Sequence, residues 1–216
     1  MFYRDSTNIY RVTELDEFPW LLHGFGTRLS DVAEQLAPFA ELATLKQVHG
    51  TLCVAAEGRS GEIGPGDALL ENHPCSVIAV KTADCMPILL ADERRHAVAA
   101  VHAGWRGTAA GIVGRAVTAM SERFGSVPAD LHAAIGPGIG KCCYEVGPEV
   151  LEKFGGQGRG RLDLTAENER QLRESGVTAE RIYASNLCTM CRSEEFHSFR
   201  RDKDAAGRMY SFVGIL

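Results

Sequence analysis

The sequence predicts a layered domain that mixes strands with helices, α/β or α+β in class, and three observations carry that reading. Short continuous apolar runs recur through the middle of the chain. One long segment has helical spacing between recognisable ends, and the strands and helices do not alternate in the strict order that a βαβ fold requires. With 216 residues, 45% of them hydrophobic and 24% charged, the chain is long and apolar enough to close a substantial core. No repeat of solenoid period and no long low-complexity tract divides it, so one domain over residues 1–216 is expected.

In chain order, a helix is expected from Asp31 to Leu42. The Gly-rich segment from Glu57 to Gly66 reads as a surface loop, because glycine and proline punctuate rather than extend regular structure. Strands are expected at Ser76–Val80, Met86–Leu90, Ala97–Val101 and Leu131–Ile135. Their apolar residues are continuous rather than alternating, which suits strands covered on both faces. The clearest helix follows Gly107: Ile112, Val113, Ala116, Val117, Met120 and Phe124 share one face, with Thr108 as the expected N-cap and Gly125 as the C-terminal stop. A second Gly-rich loop is expected over Gly155–Gly160 and a further helix over Thr165–Ser175.

Charge and cysteine usage narrow the setting. Twenty-three Lys and Arg against 28 Asp and Glu give a formal net charge of -5, with no electrostatic bias toward nucleic acid or anionic membrane. No apolar stretch approaches the roughly 20 residues that span a bilayer, and the first residues lack the pattern of a secretory signal. Seven cysteines, two of them adjacent at Cys142 and Cys143, make a poor disulfide framework and suit a reducing cytoplasm.

Three apolar runs end in reactive or Gly-rich segments: Thr82-Ala83-Asp84-Cys85, His102-Ala103-Gly104-Trp105-Arg106-Gly107 and Gly136-Pro137-Gly138-Ile139-Gly140-Lys141-Cys142. Strand ends of this kind are where sites are built. Two imidazoles and a thiolate, His49, Cys85 and His102, make a zinc-competent set that leaves a fourth position open for water or substrate. Spacings of 36 and 17 residues demand no local metal motif, and buried structural His and Cys are the alternative. Cys188-Thr189-Met190-Cys191 is a single C-x-x-C with no second pair at suitable spacing, and reads as ordinary structural cysteines.

Among the cations, Arg28, Arg106 and Arg200-Arg201 stand out, with Lys81 and Lys141 near other candidate segments. Arg106 falls at the start of the best helix, where free N–H groups already favour anions, and guanidinium geometry suits phosphate. Of the carboxylates, Asp67 is a candidate for proton transfer or ribose hydroxyls, and Asp84 for a supporting role beside Cys85.

Taken together, the segments Gln47-Val48-His49-Gly50, Gly66-Asp67-Ala68-Leu69, Thr82 to Leu90, Val101 to Gly107, Ile135 to Gly147 and Phe199-Arg200-Arg201-Asp202 resemble the signatures of one family. It is the laccase-domain family, also called polyphenol-oxidase-like and described as bacterial purine nucleoside phosphorylases. The motifs run in order over nearly the whole chain. After Gly24-Phe25-Gly26-Thr27-Arg28 the family's Gly pair is replaced by Leu29-Ser30-Asp31, and His197 stands where an aromatic residue is usual.

The resemblance implies a layered α/β/β/α-type fold with mixed sheets and a zinc ion held by His49, Cys85 and His102, with copper as the alternative metal. It implies phosphorolysis of adenosine, inosine and methylthioadenosine, deamination of adenosine, and a copper-dependent oxidation of phenols. On that basis Cys85, Asp84 and Arg106 are the expected catalytic residues, and Arg28, Gln47, Asp67, Trp105 and Arg200 the expected contacts to substrate and phosphate. Trp105, Tyr144 or Phe199 could stack on a purine, with core packing the preferred reading for Phe199. The expected partners are purine nucleosides and phosphate, without nucleic acid or membrane, and a homodimer is the open alternative to a monomer.

Two other chemistries compete. A blue-copper set would recruit Met86, but adjacent residues on a strand point in opposite directions, which sets Met86 against Cys85. Thiol catalysis would make Cys85 a nucleophile with His102 or His49 as its base.

Overall fold

The computed structural model describes residues 1–37 and 41–216. Two mixed sheets lie face to face. The first orders seven strands as Phe2–Arg4, Ile9–Val12, Leu21–Gly26, Met209–Ile215, Ser76–Thr82, Leu42–Lys46 and Gly61–Pro65. The second orders six as Ile182–Ala184, Leu131–Ile135, Met86–Asp92, Ala97–Ala103, Ala68–Glu71 and Cys53–Ala55. Antiparallel pairs form the middle of each sheet, where Met209–Ile215 and Met86–Asp92 are antiparallel to both neighbours. Parallel pairs occur toward the edges, as between Leu131–Ile135 and Ile182–Ala184.

Every residue of Met86–Asp92 and Ala97–Ala103 is buried, and the pleat divides them between two cores. Leu89, Ala91, Val98 and Ala100 face the other sheet and pack with Ile78, Val80, Val213 and Ile215. Ile88, Leu90, Ala99 and Val101 face outward, onto Ile112, Val113, Ala116 and Met120 of the helix Ile112–Phe124 and onto Leu164 and Leu172 of the helix Leu164–Glu174. On the far side of the seven-stranded sheet, Val77, Ala79 and Phe212 pack against Val32 and Leu36 of the short helix Val32–Leu36. The order is helix, sheet, sheet, helix, as the resemblance implied. Strands in the inner layers have no solvent face, which is why their apolar residues run without interruption.

Three local expectations are corrected. The helix after Gly107 is two helices, Trp105–Ala109 and Ile112–Phe124, broken at Gly111, whose φ of 78° lies in the left-handed region. Thr108 therefore sits inside the first helix, fully buried, where its hydroxyl accepts a 3.3 Å bond from Asn168 Nδ2; the N-cap is Gly104. Gly125, at φ 69°, stops the second helix as expected. The helix begun by Asp31, whose carboxylate accepts the Glu34 N–H at 3.0 Å, ends at Leu36, and Leu42 already belongs to a strand. Residues 38–40 of that expectation lie outside the described residues. Within the loop expected over 57–66, Gly61–Pro65 pairs in parallel with Leu42–Lys46 as an edge strand.

Candidate metal centre and its cavity

Three successive connections carry the chain from the seven-stranded to the six-stranded sheet: residues 47–52, 66–67 and 83–85. The first carries His49, the second Asp67, and the third Asp84 and Cys85. Strand Ala97–Ala103 ends beside them and contributes His102.

The ligating atoms of His49, Cys85 and His102 all lie within 4.8 Å of one another. The two imidazoles meet edge to face, with centroids 4.7 Å apart. Asp67, fully buried, fixes both: Oδ1 accepts the His49 backbone N–H at 2.9 Å and lies 2.8 Å from His102 Nδ1, while Oδ2 accepts the Gly50 N–H at 2.7 Å. A carboxylate in that position only accepts, so Nδ1 carries the proton and His102 turns Nε2 toward Cys85. Gly104 makes the approach possible, because a Cβ there would stand 2.9 Å from Cys85 Sγ and 3.2 Å from the His49 ring.

Two residues of the centre hold left-handed backbone without being glycine, His49 at φ 58° and Asp84 at φ 89°. Such conformations persist where surrounding bonds over-determine them. For His49 these are the N–H bonds gathered by Asp67. For Asp84 they are the Thr189 hydroxyl and the Arg200 N–H, each donating to its carboxylate at 2.6 Å, and the Ile139 N–H donating to its carbonyl at 2.8 Å.

Charge follows the same geometry. Burial alone would push the Cys85 thiol up, but His102 and His49 more than offset it and bring it down to about 6. Burial would likewise lower His102, yet Asp67 and the Cys85 sulfur raise it to about 9. Asp67 stays below the usual carboxylate range because the His102 and backbone donors outweigh its desolvation. Two imidazoles and a readily ionised thiol, oriented by a buried carboxylate, fit a borderline-soft divalent ion such as zinc.

A cavity of about 740 Å³ opens onto this cluster. Six cationic side chains line it, Lys46, Lys81, Arg106, Arg200, Lys203 and Arg208, against the carboxylates Glu62 and Asp84. Arg106 lies over the Trp105 ring at 4.4 Å and Arg200 over Tyr144 at 5.1 Å. Burial pushes the Tyr144 hydroxyl up to about 12, so it remains a donor at neutral pH.

The structure places Asp84, Cys85, Arg106, Gln47, Trp105, Arg200, His49 and His102 on this cavity. Two expected contacts are elsewhere. Asp67 lies beneath the histidines, its oxygens committed to them and to Gly50. Arg28 faces the segment 193–195, its guanidinium donating to the Ser193 carbonyl and its N–H to that of Glu195, each at 2.8 Å. Gln47 lines the cavity, but its amide pairs with the Lys81 backbone at 2.7 and 2.8 Å and so fixes a wall. Phe199, read as core, is exposed on the cavity. Met86 is packed in the helix-facing core, apart from the donor cluster. The missing partner pair for Cys188 and Cys191 is present after all: the fold supplies Cys142 and Cys143. Sequence reasoning missed Lys46, Glu62, Lys203 and Arg208; Lys46 and Lys203 directly flank the motifs Gln47–Gly50 and Phe199–Asp202, and that adjacency was the one signal for them, while Glu62 and Arg208 had none.

Fold and side chains define a two-sheet α/β protein in which His49, Cys85 and His102 bring three potential metal ligands together. Residues 27–216 match the family described as multi-copper polyphenol oxidoreductase laccase, and the chain belongs to that family. A Clostridium acetobutylicum protein named purine nucleoside phosphorylase is 37% identical over 80% of this chain and 76% of its own length. A protein from an unknown prokaryotic organism named adenosine deaminase is 39% identical over 69% of this chain and 61% of its own. Among solved structures, YlmD from Geobacillus stearothermophilus superposes with a TM-score of 0.89 at 29% identity, over 99% of this chain and 98% of that one. The first two of these relatives are, by their names, nucleoside-processing enzymes. Among the described residues, no helix is long and apolar enough to cross a membrane.

Proposed function

We propose that this chain is a zinc-dependent purine nucleoside enzyme that cleaves adenosine, inosine and methylthioadenosine with phosphate and deaminates adenosine to inosine. The observation that carries the reading is the coincidence, in one cavity, of the His49, Cys85 and His102 donors, a cationic lining and two cation-capped aromatic rings. Zinc held by His49, Cys85 and His102 would supply Lewis acidity beside the bound substrate.

In phosphorolysis a phosphate oxygen attacks the sugar carbon as the bond to the base breaks. Arg106, with Lys81 and Lys203, binds the phosphate and offsets the charge it brings into the cavity. Trp105 and Tyr144 offer faces to the purine, and the Tyr144 hydroxyl, protonated at neutral pH, donates toward the departing base. Asp84 fixes the Arg200 backbone and thereby the wall on which that guanidinium sits. In deamination the same residues bind and orient adenosine while water displaces the amine.

Incubating zinc-loaded protein with adenosine, with and without phosphate, tests this. Adenine formed only with phosphate supports phosphorolysis, inosine formed without it supports deamination, and both should vanish in His102→Ala. If zinc-loaded protein yields neither product from adenosine and no adenine from methylthioadenosine, the reading is refuted. One observation favours a second reading: Cys85, His102 and Asp67 stand in the order nucleophile, base and orienting carboxylate. Stoichiometric zinc that blocks alkylation of Cys85 would exclude that thiol hydrolase.

A further inference from the structure

Outside the cavity's donor cluster, a second group of ligating atoms gathers where two loops meet. The Sγ atoms of Cys142, Cys143, Cys188 and Cys191 all lie within 4.8 Å of one another, with Cys191 3.6 Å from Cys142 and 3.3 Å from Cys143. Four thiolates around one zinc at about 2.3 Å stand roughly 3.8 Å apart, inside the range seen here. The two loops are held in register by backbone bonds, a parallel bridge between Gly138 and Cys188 and a 2.9 Å bond from the Thr189 N–H to the Gly138 carbonyl.

The surroundings suit sulfur that carries charge. The Gly140 N–H donates to Cys188 Sγ at 3.3 Å. A side chain at Gly140 would crowd this group, its Cβ lying 3.2 Å from Cys142 Sγ and 3.2 Å from Cys188 Cβ. Cys188 is buried while Cys142 and Cys191 are exposed, so an ion can reach the cluster from solvent. Four uncharged thiols would gain little from this convergence. A tetrahedral ion explains it, since four cysteines are one of the standard ligand sets of structural zinc and Cys188 and Cys191 have the C-x-x-C spacing found in such sets.

We propose that Cys142, Cys143, Cys188 and Cys191 form a tetrathiolate structural zinc site, separate from His49, Cys85 and His102 and independent of the activity assigned to them. Binding replaces the thiol protons, which pass to solvent, by one divalent ion. The ion ties the loop that carries Ile139 and Tyr144 to the segment whose Thr189 hydroxyl bonds Asp84 and whose Thr189 and Met190 carbonyls accept from Arg201. Its task is to hold the wall of the cavity.

Metal analysis of protein purified under reducing conditions with zinc tests the proposal. Two zinc ions per chain are expected for the wild type, one for His102→Ala and one for the Cys142→Ser/Cys191→Ser double variant. Should the double variant not fold, alkylation of His102→Ala protein, mapped by peptide mass spectrometry, decides the matter. Zinc should then protect Cys142, Cys143, Cys188 and Cys191 as a set, and a chelator should expose them together. Cobalt-loaded His102→Ala protein should show the visible bands of a tetrathiolate. One zinc per chain that His102→Ala abolishes, or equal labelling of the four cysteines with and without zinc, overturns it. A disulfide within the set in the reduced preparation does so too.

Discussion

Replacing Asp67 by Asn keeps the size and shape of the side chain and changes what it can accept. The carboxylate takes the His102 Nδ1–H and the His49 N–H on one oxygen and the Gly50 N–H on the other. An amide has one acceptor. With its oxygen toward the histidines, its NH2 confronts the Gly50 N–H, and the remaining bonds lose their charge assistance. A buried donor left without a partner costs about 1–3 kcal/mol, and loss of a carboxylate behind a ligating histidine costs about 10–100-fold in metal affinity. That range corresponds to about 1.4–2.8 kcal/mol of binding free energy, while the unpaired donor weakens the fold with or without metal. Zinc affinity measured by competition with a chromophoric chelator should fall by that factor, while Asp67→Ala should fall further and lose the left-handed turn at His49. Affinity within twofold of the wild type in Asp67→Asn would refute the orienting role.

Other consequences are open to measurement. In metal-stripped protein, alkylation of Cys85 should be half-maximal near pH 6, while Cys53, which burial pushes to about 11, stays unreactive; a midpoint near the ordinary thiol value of about 8.5 refutes the ion pair. The sign for stability is the same: the Cys85 contribution is complete above the ordinary thiol range and is lost as pH falls through about 6. Gly136→Ala would drive a Cβ to 2.1 Å from the Phe25 ring inside the core, and denaturant unfolding should show a loss of about 1–3 kcal/mol; an unchanged midpoint contradicts the packing. Arg106→Ala should raise KM for phosphate about tenfold or more, as expected for a lost charge-assisted bond, with the circular dichroism unchanged. An unaltered KM would move the anion to another part of the cavity lining.

The buried strands were legible because both of their faces are covered, so Met86–Leu90 and Ala97–Val101 stand out as unbroken apolar runs. Strand Met209–Ile215 is as central, yet Tyr210, Ser211 and Gly214 interrupt its run, so the sequence carries no unbroken apolar signal there. Edge strand Gly61–Pro65 has no buried residue, and positive φ at Gly58 before it and at Gly61 and Gly64 within it is the local signature of a loop. At the centre, His49, Cys85 and His102 could be chosen by ligand chemistry. Asp67 could be noticed, but its place beneath the histidines depends on which connections between sheets become neighbours. The same limit hid Cys142 and Cys143 from Cys188 and Cys191: their proximity arises from a single backbone bridge, which leaves no trace in spacing.

The connections that bear His49 and Cys85 are also where the chain passes from one sheet to the other, and His102 belongs to the second sheet alone. A slip of the two layers past one another would therefore be felt directly in the distances among the three donors. An ion gripping all three would act as a rivet through the sandwich, and its binding free energy would add to the resistance against the layers parting. Substitutions between the sheets, at Leu89, Val98 or Val213, would thereby become a means of tuning how tightly these three donors could hold an ion.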